Sequence, residues 1–203
     1  MDSSSTNISL LSRIRDKADD AAWQEFDARY RALMLRYCRR RGLDQVDAED
    51  VVQATFAGLT DGLSRFAYDP QRGRFRDYLS RCLRNEISRW SARPQVAARG
   101  LFSREGSRLP SPDNGEHDAV WEEEWVAHHY RRALATIRPQ FDARSIEVFD
   151  RSIAGANVKL LAEEFGMSEQ AIYKVRKRIR DRLEEVIADQ IREEDDVDGT
   201  GVE

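Results

Sequence analysis

Arg81, Arg84, Asn85 and Arg89 fall on one arc of a helix drawn over residues 74–90, together with Arg74, Asp77 and Ser88. A guanidinium fork matches phosphate oxygens, and an asparagine amide offers a donor and an acceptor to one base edge. The chemistry these types can do is the non-covalent gripping of nucleic acid. A second set, Ser168, Glu169, Gln170, Tyr173, Lys174, Arg176 and Lys177, sits within residues 158–177, VKLLAEEFGMSEQAIYKVRK. There Ala162 lets two helices approach, Gly166 makes a turn, and Ser168 can cap the second helix. Leu161, Phe165, Met167, Ile172 and Val175 are spaced to fill the shared core, which leaves the polar and basic set on the outer face.

The chemistry of bond making is not signalled. His117, His128 and His129 are the only histidines and lack HExxH or comparable ligand spacing; Cys38 and Cys82 lie 44 residues apart and are expected to be core thiols. GxSxG, GxxxxGK[ST] and GxGxxG are absent from the sequence, so neither an enzyme nor a bound cofactor or metal is expected.

The elements that must carry the two sets are helices. From Asp20 as N-cap, Trp23, Phe26, Tyr30, Leu33, Met34, Tyr37 and Cys38 recur at helical spacing up to a break at Gly42, and Leu10, Leu11 and Ile14 line a shorter segment upstream. A second helix is expected to start at Asp47, with the apolar stripe Val51, Val52, Thr55, Phe56, Leu59 and Leu63. Residues 68–73, YDPQRG, read as a turn, and the helix after it turns Phe75, Leu79, Cys82, Leu83, Ile87 and Trp90 inward. Helices resume around Trp121, run to Pro139, and start again from Asp142 through Ile153. Strand-like alternation is nearly absent, so the fold class is all-α.

Charged residues make up 34% of the 203, and stretches free of Asp, Glu, Lys and Arg reach no more than ten residues, which excludes a spanning helix. The N-terminus lacks the basic and long apolar regions of a signal peptide, so a cytoplasmic location is expected. A net charge of −4 hides segregation. Residues 69–99 carry eight Arg against three acids, residues 100–130 two Arg against seven acids, residues 131–182 twelve basic against seven acidic side chains, and residues 183–203 nine acids against Arg192 alone. Proline and glycine interrupt residues 91–124. The expected organisation is a helical domain over 1–92, a flexible acidic linker over 93–122, a helix-turn-helix domain over 123–188 and an acidic disordered tail over 189–203.

The order of these features resembles a bacterial sigma factor of the extracytoplasmic-function type, the minimal form with regions two and four. The likeness is carried by Asp47-Ala48-Glu49-Asp50-Val51-Val52-Gln53-Ala54-Thr55-Phe56, by residues 69–79, DPQRGRFRDYL, and by Asn85. The opening Ser9-Leu10-Leu11 through Asp16, with Ala22-Trp23 and Phe26, is similar to the start of planctomycete-type sigma factors. The resemblance implies a subunit that brings core RNA polymerase to promoter DNA and opens the duplex. Asp50, Gln53 and Phe56 would dock on the clamp helices of the largest polymerase subunit, and the flap of the second subunit would be a further polymerase contact. Phe66, Tyr68, Arg72, Arg74, Arg81, Arg84, Asn85 and Arg89 would hold the minus-ten element, with Phe66 and Tyr68 stacking on bases or packing in the core. Ser168, Glu169, Gln170, Tyr173, Lys174, Arg176 and Lys177 would meet the minus-thirty-five element. Gln170-Ala171-Ile172-Tyr173-Lys174 departs from the small residue and Thr-Val-Lys of many relatives, so the promoter sequence does not transfer. An anti-sigma factor is a further partner such a subunit can have. The acidic linker could occupy a cationic RNA channel as a nucleic-acid mimic.

Two other functions are compatible with the residues. A stand-alone helix-turn-helix regulator would bind duplex DNA without polymerase and would leave the arginine-bearing helix at 74–90 without a use. A helical adaptor would use the basic blocks as solvated faces and would not bind DNA.

Overall fold

The computed structural model describes residues 10–63, 75–94, 96 and 118–195. Among these residues every regular element is helical: α1 (Leu10–Arg13), α2 (Asp20–Arg40), α3 (Gln45–Leu63), α4 (Phe75–Ser91), α5 (Ala119–Ile137), α6 (Ala143–Ile153), α7 (Val158–Phe165) and α8 (Glu169–Asp195). A 3-10 turn, Arg138–Gln140, carrying the helix-breaking Pro139, ends α5. The chain divides into two compact units, Met1–Trp125 with Glu193–Glu203, and Val126–Arg192.

In the first unit α2 begins one residue earlier than the sequence suggests, because Asp19 rather than Asp20 takes the cap. Its carboxylate accepts from the Ala22 N–H at 2.8 Å and from Arg13 Nε at 3.1 Å. Those bonds hold its pKa below the usual range, the Arg13 contact first. The stripe Ala22, Phe26, Tyr30, Leu33, Met34, Tyr37 and Cys38 is buried, and the chain reverses at Gly42, whose φ of 94° suits glycine. The next helix also starts early. Asp44 accepts from the Asp47 N–H at 2.9 Å, so Gln45 and not Asp47 opens α3. Phe26, Phe56 and Phe75 meet edge to face, with centroids 5.7 Å and 5.9 Å from Phe26, where α2, α3 and α4 join.

The unit is completed by chain far from these helices. Trp121 and Trp125, in the first turns of α5, are 2% and 6% exposed; Trp121 stands edge-on to Tyr37 at 5.3 Å and Trp125 stacks with Tyr30 at 6.2 Å. Glu194, at the end of α8, accepts a 2.6 Å bond from the buried Tyr30 hydroxyl. Two boundaries drawn from composition therefore shift. The linker set to run through 122 is helical from Ala119, and the tail set at 189 as disordered is helical through Asp195. Aromatic and hydrogen-bonding anchors, Trp121 and Glu194, sit inside those charged runs.

The second unit is built on Ala133 and Ile137 of α5, Ile146 and Phe149 of α6, and Ile179, Leu183 and Val186 of α8. Asp142 caps α6, accepting from the Ser145 N–H and hydroxyl at 2.8 Å each. Asn157 caps α7 by accepting from the Lys159 N–H at 2.8 Å. His128 and His129 are buried, and His129 Nδ1 meets the Gln190 side-chain amide at 3.1 Å. Among the described residues there is no group of three or more metal-binding side chains.

Candidate nucleic-acid interface

The apolar arc of α4 fixes what its other side presents. Phe75, Leu79, Leu83, Ile87 and Trp90 are buried, as their spacing predicts, and Ser80 joins them; Cys82 is only half-buried. Each fully buried large apolar side chain contributes about 1.5–3 kcal/mol, so the rotation of α4 is set by its core and not by its arginines. On the opposite side Arg81 and Arg89 are exposed, while Arg84, Asn85 and Ser88 are half-buried. Arg89 pairs with Glu86 one turn away, an exposed contact worth about 0–1 kcal/mol and readily exchanged. Arg84 is more constrained. Its Nε is buried without a hydrogen-bond partner, a donor that a ligand could satisfy. Phe66, Tyr68, Arg72 and Arg74, assigned to the same element of DNA, lie outside the described residues.

On α3, Asp50 and Gln53 are exposed and lie three residues apart, on one face with Val46 (70% exposed) and Ala57. Phe56 faces elsewhere. It packs half-buried against Phe26, and the Arg31 guanidinium lies 5.8 Å from its ring centre while also bonding Glu49 at 2.8 Å. Its ring belongs to the core as much as to any docking surface.

In the second unit Gly166 ends α7 in the left-handed conformation, φ 57° and ψ 42°, and its N–H bonds the Glu163 carbonyl at 3.3 Å. Ser168 Oγ accepts from the Ala171 N–H at 3.1 Å, the cap its position suggests. Val148, Leu161, Ala162 and Ile172 form a small core with Phe165, Met167 and Val175 against it. With that side sealed, Ser168, Glu169, Gln170, Tyr173, Lys174 and Lys177 are exposed and Arg176 is half-buried with its guanidinium 5.9 Å from the Tyr173 ring centre. Lys177 also meets Asp181 at 2.6 Å. Tyr173 is 54% exposed, a large aromatic with no burial to justify it.

One group of charges was not singled out from the sequence. Arg36 and Arg40 of α2, Arg41 at its C-terminal cap and Arg76 of α4 face the acids at the start of α5. Arg41 and Asp118 form an ion pair with side chains 8% and 5% exposed, and the Tyr37 hydroxyl donates to the same carboxylate. Burial pushes the Asp118 pKa up, but the bonds from Tyr37 and Arg41 outweigh it and leave it below the usual range. Glu124 meets Arg36 and Arg40 at 3.3 Å each, Glu123 meets Arg40 at 2.6 Å, and Glu122 meets Arg76 at 3.1 Å. The signal available was the run Arg36-Tyr37-Cys38-Arg39-Arg40-Arg41 set against Asp118 and Glu122–Glu124, opposite charges in blocks of equal size. Asp118 and Glu122, read as part of a flexible linker, are instead held, together with Glu123 and Glu124, by Arg36, Arg40, Arg41 and Arg76.

Comparison with known proteins decides which of these surfaces has relatives. Residues 26–95 match the family model of Sigma-70 region 2. The matched segment runs from Phe26 through α3 and α4, and so contains Asp50, Gln53, Phe56 and the whole arginine strip; α5 to α8 lie outside it. No curated protein matches the chain. Among solved structures, that of CnrH in complex with the cytosolic domain of CnrY is similar at 24% identity, over 89% of this chain and 96% of that one, with a TM-score of 0.35.

Proposed function

We propose that the chain is a sigma factor of the extracytoplasmic-function type, in its planctomycete-like form, which directs core RNA polymerase to promoters and assists strand opening. The observation that carries this is the region 2 match over 26–95, because it falls on the segment whose arginine strip had been assigned to nucleic acid on residue chemistry alone. In this role the exposed face of α3, with Asp50 and Gln53, docks on the clamp helices of the largest polymerase subunit. Arg81, Arg84, Asn85 and Arg89, with Phe66, Tyr68, Arg72 and Arg74, hold the melted minus-ten strand. Arginine neutralises phosphate while the Asn85 amide can exchange a hydrogen-bond pair with one base.

The second unit supports the other half of the proposal. An α-helix presenting Gln170, Tyr173, Lys174 and Lys177 fits the major groove, with Ser168, Glu169 and Arg176 flanking, and would read the minus-thirty-five element. A groove of about 410 Å³, lined by Tyr130, Phe149, Leu183 and Ile187 together with Arg176, Arg180 and Glu184, would seat the flap of the second subunit. The protein itself forms and breaks no covalent bond in this scheme.

Run-off transcription from a genomic fragment library with purified core polymerase tests the proposal. Discrete transcripts should depend on the protein, and Arg84→Ala with Asn85→Ala should lower their yield by about tenfold or more, one good base or phosphate contact being worth about 1–3 kcal/mol. DNA binding without transcripts and without co-purification of core polymerase would instead favour a stand-alone regulator.

A further inference from the structure

Tyr173 stands on α8 with 54% of its surface exposed. Among the described residues its hydroxyl makes no hydrogen bond, and its ring meets one charge, the Arg176 guanidinium at 5.9 Å from the ring centre. The ring adds nothing to the core of the second unit, which Ile172 and Ile179 of the same helix enter fully buried. An aromatic side chain left in water forgoes the burial that ordinarily justifies it.

Its direction is nevertheless fixed. Gly166 and the Ser168 cap set where α8 starts, and the buried Ile172, Ile179 and Leu183 set its rotation. Gln170, Tyr173 and Lys177 then follow at intervals of three and four residues, a single exposed line along the outward face. Arg176 lies on the flank of that line. It is half-buried and lines the groove shared with Tyr130 and Phe149, so its guanidinium braces the ring from the side of the helix.

The major groove presents hydrogen-bonding edges at every base pair and one apolar group, the C5-methyl of thymine. A ring set in line between an amide and an ammonium is matched to that methyl, as the Gln170 amide is matched to N6 and N7 of adenine. Gln170 and Tyr173 are about 4.5 Å apart along the helix axis, and base pairs succeed one another at about 3.4 Å. The two residues therefore address base pairs one or two steps apart.

We propose that Tyr173 is a specificity-determining residue that selects thymine through its methyl group, one or two base pairs from an adenine met by Gln170. The inference rests on the reading of α8 as the helix that enters the major groove, and deepens it by giving the upstream element a composition.

The test uses holoenzyme assembled from core polymerase and the full chain. Duplexes are selected from a random library by binding, and each thymine of the selected upstream element is replaced in turn by deoxyuridine, which lacks only the methyl group. One such replacement should weaken binding by about fourfold, the value of one buried methyl. With Tyr173→Ala that replacement should have no effect and the preference for thymine at that position should disappear, whereas Tyr173→Phe, which keeps the ring, should retain both. Both variants should melt with the unaltered protein, because the ring lies outside the core. Tolerance of deoxyuridine at every position by the unaltered protein overturns the proposal, and so does a methyl effect that survives Tyr173→Ala. If holoenzyme selects no upstream sequence at all, the reading of α8 itself fails, and this inference with it.

Discussion

Asp118→Asn is the substitution whose cost can be worked most directly from the structure. It removes the charge facing Arg41, whose side chain is 8% exposed, and weakens the acceptor of the Tyr37 hydroxyl. Breaking one side of a buried ion pair costs about 3–5 kcal/mol because the other charge is left without compensation. An asparagine keeps a carbonyl that can still accept one bond, which places the loss near the lower end, about 3 kcal/mol. For a unit of this size each kcal/mol lowers Tm by about 4 °C, so the melt should fall by about 12 °C. Trp121, 5.3 Å from Tyr37, makes tryptophan fluorescence a local reporter of the same transition. Arg41→Met added to Asp118→Asn should cost at least about 1 kcal/mol less than the sum of the single variants, since both act on one contact. The pH dependence has a definite sign. The folded pKa of Asp118 lies below its ordinary 3.8, so its contribution is present above that value and is lost as pH falls through the lower folded one. Asp118→Asn should flatten that acid limb. A loss under about 1 kcal/mol, the range of an exposed pair, would refute the argument that this contact is sealed.

Two further substitutions separate backbone geometry from recognition. Gly166→Ala places a Cβ where φ is 57° and nothing lies within 4 Å, so the cost is conformational alone; about 1–2 kcal/mol should appear in chemical denaturation of the second unit. In promoter-binding titrations, Gln170→Ala should change the preferred base at one position by about 1–3 kcal/mol, whereas Lys177→Ala should weaken all sequences alike and make the salt slope shallower by about 1.

The legible parts of the fold are those in which a local period reports a buried face. The α4 arc, Phe75, Leu79, Leu83, Ile87 and Trp90, is the seam along which that helix packs, because residues four apart must share a side. The α7–α8 corner was equally readable, since Gly166, Ser168 and Ala162 each have one local task and perform it. Helix starts were displaced by one or two residues. Asp19 and Asp20, or Asp44 and Asp47, are chemically equal caps in a sequence, and only the position of the free N–H two or three residues on chooses between them. What stayed hidden is long in sequence separation. Arg41 and Asp118 are 77 residues apart, and Tyr30 and Glu194 are 164 apart. A charged run looks like a solvated face until the opposite run that neutralises it is known to be near. Phe56 shows the remaining difficulty: an aromatic on a helix satisfies the pattern for a docking surface and for a core alike, and here it leans on Phe26.

The indole rings of Trp121 and Trp125 have a practical meaning for where this protein can be divided. They shield Tyr30 and Tyr37 from a distance of some eighty or ninety positions along the chain. A fragment ending with the matched segment at residue 95 would take the indole rings away from both tyrosines and Asp118 away from Arg41. The matched stretch is thus shorter than the stretch that must be made together to stand by itself.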